Sequence, residues 1–379
     1  MTPLLLAASL LAMTQDTTWT PLERYLTESV ARKAFPGAVV AVGRRDTVLF
    51  ERGFGALGDG DRTRPGPSTI YDLASLTKVV GLTTLAMMLV DEHTLDLDAP
   101  VTRYVPAFAA GGDSVTVREL LTHSSGLAAW QPLFREVHSR EEMFTRVNAT
   151  RLEAPPGTRT AYSDLGAMLL TEVVERLMGH RLDSLLENRL FRPLGMQDTR
   201  FLPPVELRPR IAPTENDPWR GRVLRGEVHD ENAAAMGGVS GHAGLFSTAD
   251  DLVRFAQMLL RGGAGLLRPE TIALFTRTQN PSFSSRALGW DTPSPASSAG
   301  TKLSAHAFGH TGFTGTSIWI DPEQDLFVIL LTNRVHPTRA SSPTCSSPAE
   351  VTCGSALSWR MFPFCRKEAL RSRGRKRWS

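Results

Sequence analysis

Two blocks of strand-type sequence stand at opposite ends of the body of this chain. Unless they meet, each would leave unpaired strand edges. Near the start, Ala38-Val39-Val40-Ala41-Val42 and Thr47-Val48-Leu49-Phe50 flank Gly43-Arg44-Arg45-Asp46, the pattern of a β-hairpin. Near the end, Ser317-Ile318-Trp319-Ile320 and Leu326 to Leu331 flank a turn at Asp321-Pro322-Glu323-Gln324-Asp325. From Val115 to about Leu260 the pattern is mainly helical. Thr116 and Glu119 form a capping box, Asp164 to Met178 is a helix stopped by Gly179, and Thr248-Ala249-Asp250-Asp251 opens a helix through Leu260. An amphipathic helix is expected over Pro21 to Ala34, from Leu22, Tyr25, Leu26 and Val30. The expected fold class is therefore α+β, with one antiparallel sheet built from both ends of the body and an inserted mainly helical region. No internal repeat interrupts this order.

One helix stands out within that frame. Ile70-Tyr71-Asp72-Leu73-Ala74 leads into Ser75-Leu76-Thr77-Lys78 and an apolar run to Val90. The run is apolar almost all round (Val79, Val80, Leu82, Leu85, Met88, Leu89), which places it in the interior. Ser75 and Lys78 are three apart and so are neighbours on one helical face. Burial drives a lysine pKa down, and a neutral amine can take the serine proton and make the hydroxyl a nucleophile. Arginine could not do this, and lysine is scarce: only Lys33, Lys78, Lys302, Lys367 and Lys376 occur. The bland alternative is a lysine snorkelling from a first helical turn.

Two other short motifs carry chemistry. Tyr162-Ser163-Asp164 places a phenol on a loop at a helix N-terminus, where nearby cations could hold its pKa down for proton transfer. His310-Thr311-Gly312 precedes the Ser317–Ile320 strand and offers a donor or cation, a hydroxyl, and a glycine that lets a substrate approach the backbone. Each has an ordinary reading as well, a rim tyrosine and a glycine-rich strand entry.

Composition limits the function classes. The 379 residues are 41% hydrophobic and 21% charged, ordinary for a globular protein. The formal charge of +3 is uneven. Residues 341–379 carry eight Lys/Arg against Glu350 and Glu368, so the rest is mildly acidic and has no nucleic-acid footprint. All three cysteines, Cys345, Cys353 and Cys365, lie in that tail at spacings that fit no zinc or redox pattern. Met1 to Met13 is an apolar run suited to the h-region of a signal peptide, although no Lys or Arg precedes it. Three segments are expected: an atypical signal peptide at 1–14, a folded domain at 20–338, and an aberrant, disordered basic tail at 341–379, as a frameshifted terminus would give. A periplasmic or secreted location follows, with a cytoplasmic start as the alternative. No stable membrane insertion and no nucleic-acid partner are expected.

Ser75-x-x-Lys78, Tyr162-Ser163-Asp164 and His310-Thr311-Gly312, in that order, resemble the three motifs of the serine β-lactamase and penicillin-binding-protein-like superfamily. The likeness is to its class C β-lactamase and esterase branch. Leu120 to Leu127, Phe191 to Met196, Gly241 to Thr248 and Leu288 to Asp291 are similar to the same family, so the resemblance spans about residues 20 to 338. It implies a serine hydrolase that forms an acyl-enzyme on an ester, peptide or β-lactam, without a cofactor. Ser75 would be the nucleophile, with Lys78 and Tyr162 sharing the base role. Asp164, His310, Thr311, Gly312 and Phe313 would bind substrate, and the backbone N–H groups of Ser75 and Phe313 would form the oxyanion hole. Two departures matter. Asp164 stands where class C enzymes carry asparagine, and His310 replaces the commoner lysine. A carboxylate cannot donate to a substrate amide, and histidine weakens a fixed positive charge. Both favour an esterase or D-amino-acid peptidase over a dedicated β-lactamase. The alternative is a cell-wall or β-lactam binding module that acylates and barely turns over. His229-Asp230-Glu231 and His242 match no metal-binding spacing, so no metal site is expected.

Overall fold

The computed structural model describes residues 17–108, 112–295 and 297–341. Five strands form one antiparallel sheet: β1 (Gly37–Arg44), β2 (Thr47–Gly55), β3 (Phe308–Gly312), β4 (Thr316–Asp321) and β5 (Leu326–Thr332), in spatial order β2-β1-β5-β4-β3. The two end blocks meet at the centre, where β1 pairs with β5 in the register Val39↔Leu331, Ala41↔Ile329. A bulge between Val42 and Gly43 twists the β1–β2 hairpin at its turn. The leading segment at 1–14 and the tail from 342 onward, with its three cysteines, lie outside the described residues.

Strand periodicity sorts side chains onto two faces. Val39, Ala41, Ile318, Ile320, Ile329 and Leu331 point into the main core, against Leu76, Val79, Val80 and the other helices. Ala38, Val40, Val42, Trp319, Val328 and Leu330 point the other way, onto Leu22 and Leu26 of the Thr20–Ala31 helix and onto Ala299. This second face is buried. The Thr20–Ala31 helix and the chain around 299–303 cover it.

The helix that follows Ser75 runs through the main core to Asp91, and every residue from Leu76 to Leu89 is buried. Its first stretch, Lys78–Thr83, is π-helical, a widening that the apolar pattern does not reveal. The other expected helices form as read. Thr116 and Glu119 complete the capping box, Ser163 caps Asp164–Met178 with Gly179 in the left-handed conformation behind it, and Thr248 caps Ala249–Leu260. His310-Thr311-Gly312 precedes the Ser317–Ile320 strand as read, and it also lies in a strand itself, the edge strand β3, paired in register with Ile318-Ser317-Thr316.

Candidate active site

Ser75 sits at the point where an extended segment turns into the buried helix. Ala74, just before it, holds φ of +46°, a strained value for a residue with a side chain. Asp72 supports that turn by accepting from the Ala74 N–H at 2.8 Å and from the His229 N–H at 2.7 Å. The sheet clamps the same segment from the other side. Thr314 and Thr316 donate their hydroxyls to the carbonyls of Asp72 and Leu73, at 2.8 and 2.9 Å. Gly312 is required here for backbone packing: a Cβ on it would lie 2.4 Å from the Leu73 carbonyl oxygen. The expected reason, room for a substrate, is thus joined by a tighter one. Together these contacts present a half-exposed Ser75 on a rigid ledge.

Lys78 is buried, and its Nζ has three oxygen neighbours. It donates to Ser75 Oγ at 3.0 Å and to the His242 carbonyl at 2.9 Å, and it forms an ion pair with Asp164 Oδ1 at 2.7 Å. The Tyr162 ring lies beside it, 4.9 Å from Nζ to the ring centroid. The phenol oxygen is buried and makes no aligned hydrogen bond, yet it is close enough to Lys78 and Ser75 to feel both. His123 and His310 flank the tyrosine at ring distances of 4.7 and 5.7 Å, and the Arg286 guanidinium lies 5.3 Å from its centroid. The structure thus brings Ser75, Lys78, Tyr162, Asp164 and His310 together. Thr311 and Gly312 end β3 and Phe313 follows in the turn at the same edge, all three half-buried. Phe313 stacks on His229 and lies under the Arg334 guanidinium.

The electrostatics differ from expectation at three groups. Burial alone would depress the Lys78 pKa, but the Asp164 charge and the neighbouring Tyr162 outweigh it and push the pKa upward. Lys78 therefore rests as an ammonium, not as the neutral amine that burial predicts. Tyr162 also moves upward: burial leads, the Asp164 charge adds to it, and the opposing pull of Lys78 is insufficient. Burial, with the positive charges of Arg286 and Lys78, holds His310 well below its usual range. His310 is neutral at pH 7, so it cannot be the cation that the motif's usual lysine would supply. Its Nδ1 lies 2.8 Å from the Thr311 carbonyl, and its Nε2 is buried and unpartnered among the described residues.

Sequence reasoning left several supporting residues unnamed. His123 Nδ1 accepts from the Ser163 N–H at 3.1 Å, which ties the first helical insert to the tyrosine loop. His242 Nε2 lies 2.8 Å from Asp230 Oδ1 and its Nδ1 lies 2.7 Å from Ser240 Oγ, which fixes the carbonyl that Lys78 uses. His229 Nε2 lies 2.9 Å from Glu215. His229 and His242 thus face carboxylates in hydrogen-bonded pairs. Among the supporting residues, His123 carried a signal in Leu120-Leu121-Thr122-His123-Ser124, and Thr314 and Thr316 lay just past the third motif. Arg286 had none. A surface hollow lies elsewhere, between Leu259, Ile272, Phe308 and Ile320, and holds no residue of the three motifs.

Comparison with known proteins agrees with this geometry. The family model described as Beta-lactamase matches residues 22–344. A protein of Escherichia coli (strain K12), provisionally named a D-alanyl-D-alanine carboxypeptidase, is 32% identical over 358 residues, covering 83% of this chain and 82% of its own. A Salmonella schwarzengrund protein of the same name is 34% identical over 309 residues, covering 72% and 71%. Among solved structures, the octameric penicillin-binding protein homologue from Pyrococcus abyssi superimposes with a TM-score of 0.70 at 24% identity, over 89% of this chain and 77% of that one. EstCE1, a hydrolase with promiscuous acyltransferase activity, gives 0.69 at 20% identity, over 90% and 98%. At those identities the structural likeness shows the fold alone. With the fold, the ordered motifs and a family match across most of its length, the chain belongs to the β-lactamase family and is a serine hydrolase of the β-lactamase and penicillin-binding-protein-like superfamily.

Proposed function

We propose that the protein hydrolyses the terminal amide or ester bond of peptides that end in a D-amino acid, through an acyl-enzyme on Ser75. The observation that carries this reading is the 3.0 Å contact between Ser75 Oγ and Lys78 Nζ, with the Tyr162 phenol at their side. The names of the curated relatives support the peptide class over a β-lactam. Ser75 Oγ attacks the carbonyl carbon, and the backbone N–H groups of Ser75 and Phe313 receive the developing oxyanion. Preorganised donors of this kind typically lower a barrier by about 3–4 kcal/mol each. Ser75 at the head of a helix adds a favourable field. The leaving group departs with a proton delivered from the Lys78–Tyr162 side, and water then enters from the half-exposed face to release the acid. Thr311 and Gly312 offer a hydroxyl and an edge-strand backbone to the extended peptide. The scheme is complete with side chains and water. We place its action outside the cytoplasm, on the strength of the apolar leading segment and the peptide substrate; among the described residues no helix is long and apolar enough to cross a membrane.

One observation favours a second reading, a module that acylates and barely turns over: Asp164 lies 2.7 Å from Lys78 Nζ and holds its proton on, which slows the attack. Time courses separate the two. Wild type and Ser75→Ala are assayed with N-acetyl-D-alanyl-D-alanine, p-nitrophenyl butyrate and a chromogenic cephalosporin. Steady release of D-alanine that vanishes in Ser75→Ala is the expected result. A stoichiometric burst that stops identifies the binding module, and absence of any Ser75-dependent product overturns the hydrolase assignment.

A further inference from the structure

The resting geometry leaves Lys78 with a problem. An ammonium has no lone pair, so it cannot take the Ser75 proton until it has given one away. Its three oxygen neighbours differ in what they can accept. The His242 carbonyl is a weak base held in place by Asp230 and Ser240, and Ser75 Oγ is the group to be deprotonated. Asp164 Oδ1, at 2.7 Å, is the remaining neighbour and a carboxylate. That oxygen is buried and takes no aligned hydrogen bond from any described group, so its lone pairs are available. The Tyr162 phenol cannot substitute while it holds its own proton.

We propose that Asp164, 2.7 Å from Lys78 Nζ, receives the ammonium proton during acylation and returns it to the leaving group, so that Lys78 relays the serine proton and Asp164 stores it. The proposal rests on the hydrolase reading above and moves Asp164 from substrate contact to proton transfer. The bonds balance. As Oγ bonds to the carbonyl carbon, its proton passes to Nζ while Nζ passes one of its protons to Oδ1, and the carbonyl electron pair goes to the oxyanion. When the tetrahedral intermediate collapses, the leaving nitrogen or oxygen takes a proton from Nζ, and Nζ recovers the one on Asp164. Water repeats the cycle in deacylation. Substrate entry favours the transfer, because an ion pair stripped of water loses more solvation than the neutral pair that replaces it.

The other charged or titratable groups around the pair are Tyr162, His123, His310, Arg286, Asp230 and His242, whose carbonyl Lys78 meets and whose ring pairs with Asp230. His123 and His310 are held well below their usual range, and Asp230 is held below the usual carboxylate range despite its burial, mainly by His242. None of these three changes charge near neutral pH.

The test is the pH dependence of acylation in wild type, Asp164→Asn and Asp164→Glu, with folding checked by thermal melting. In wild type, an acid-side limb is expected. Asp164→Asn is expected to lose about 10²–10³-fold in kcat/KM near neutral pH, the range of a lost general acid–base step. Its rising limb should move to alkaline pH, because Lys78 must now release its proton to solvent. Asp164→Glu keeps the acceptor and should retain the acid-side limb. If Asp164→Asn turns over with an unmoved limb, or if Asp164→Glu shifts to alkaline pH as asparagine does, the relay is wrong. Either result leaves Ser75-dependent hydrolysis standing, whereas a wild type without Ser75-dependent product removes the hydrolase reading itself.

Discussion

At Lys78 two opposing effects meet, and only one of them can be read from sequence. An apolar helix tells that the amine is buried, which alone would strip its proton. The carboxylate that reverses the outcome is Asp164, eighty-six positions away, and its 2.7 Å approach is a product of the fold. The same holds for His310: the sequence shows a histidine in place of a lysine, whereas its neutrality depends on burial and on Arg286. Ser75, Lys78 and Tyr162 were legible because three short motifs occur in a fixed order. Arg286 was not, because a lone arginine in a loop has no pattern to distinguish it. Tyr162 offers a clean test at this scale. Its hydroxyl is buried without an aligned partner, so removing it should cost little stability. Tyr162→Phe is expected to lose about 10²-fold or more in kcat while its melting temperature stays within a few degrees of wild type. A large fall in melting temperature would instead assign the phenol a structural role.

Among the elements, those with strong periodicity or caps form where the pattern puts them, including the Ser163–Gly179 helix with both of its ends. The exception is β3. Its five residues include Gly309 and Gly312, which weaken strand propensity, and it exists because β4 pairs with it and because Trp319 and Leu73 leave room only for glycine at those positions. The π-helical stretch at Lys78–Thr83 is silent for a similar reason, since an apolar segment buried on all sides accepts either winding. Gly312→Ala tests how firmly β3 holds Ser75. Its new Cβ would meet the Leu73 carbonyl and Thr316 Oγ1 and push apart the backbone that sets Ser75. We expect a loss of about 2 kcal/mol or more in stability, typical of overpacking against backbone, with a larger proportional fall in kcat than in KM. Denaturant melts and steady-state kinetics measure the two effects separately.

Across the whole molecule, charge at the sheet edge sets a pH dependence. Glu51, on β2, is partly buried with one oxygen unpartnered, and burial together with the Asp250 charge raises its pKa to about 7. A raised carboxylate binds its proton more tightly in the folded state. Its contribution is therefore most favourable below the unfolded pKa near 4.5 and declines as pH rises toward about 7. Glu51→Gln should accordingly raise the melting temperature at about pH 8 and change it little at about pH 5. An equal change at both values would show that the ionisation of Glu51 does not bear on stability.

The pairing of β1 with β5 joins residues near 40 to residues near 330, and the ledge under Ser75 is fastened by Thr314 and Thr316. A chain growing on the ribosome carries its serine and lysine early, but the strands that fix their position emerge last. Any product truncated before β3 therefore carries Ser75 and Lys78 without the late strands that hold their segment in place.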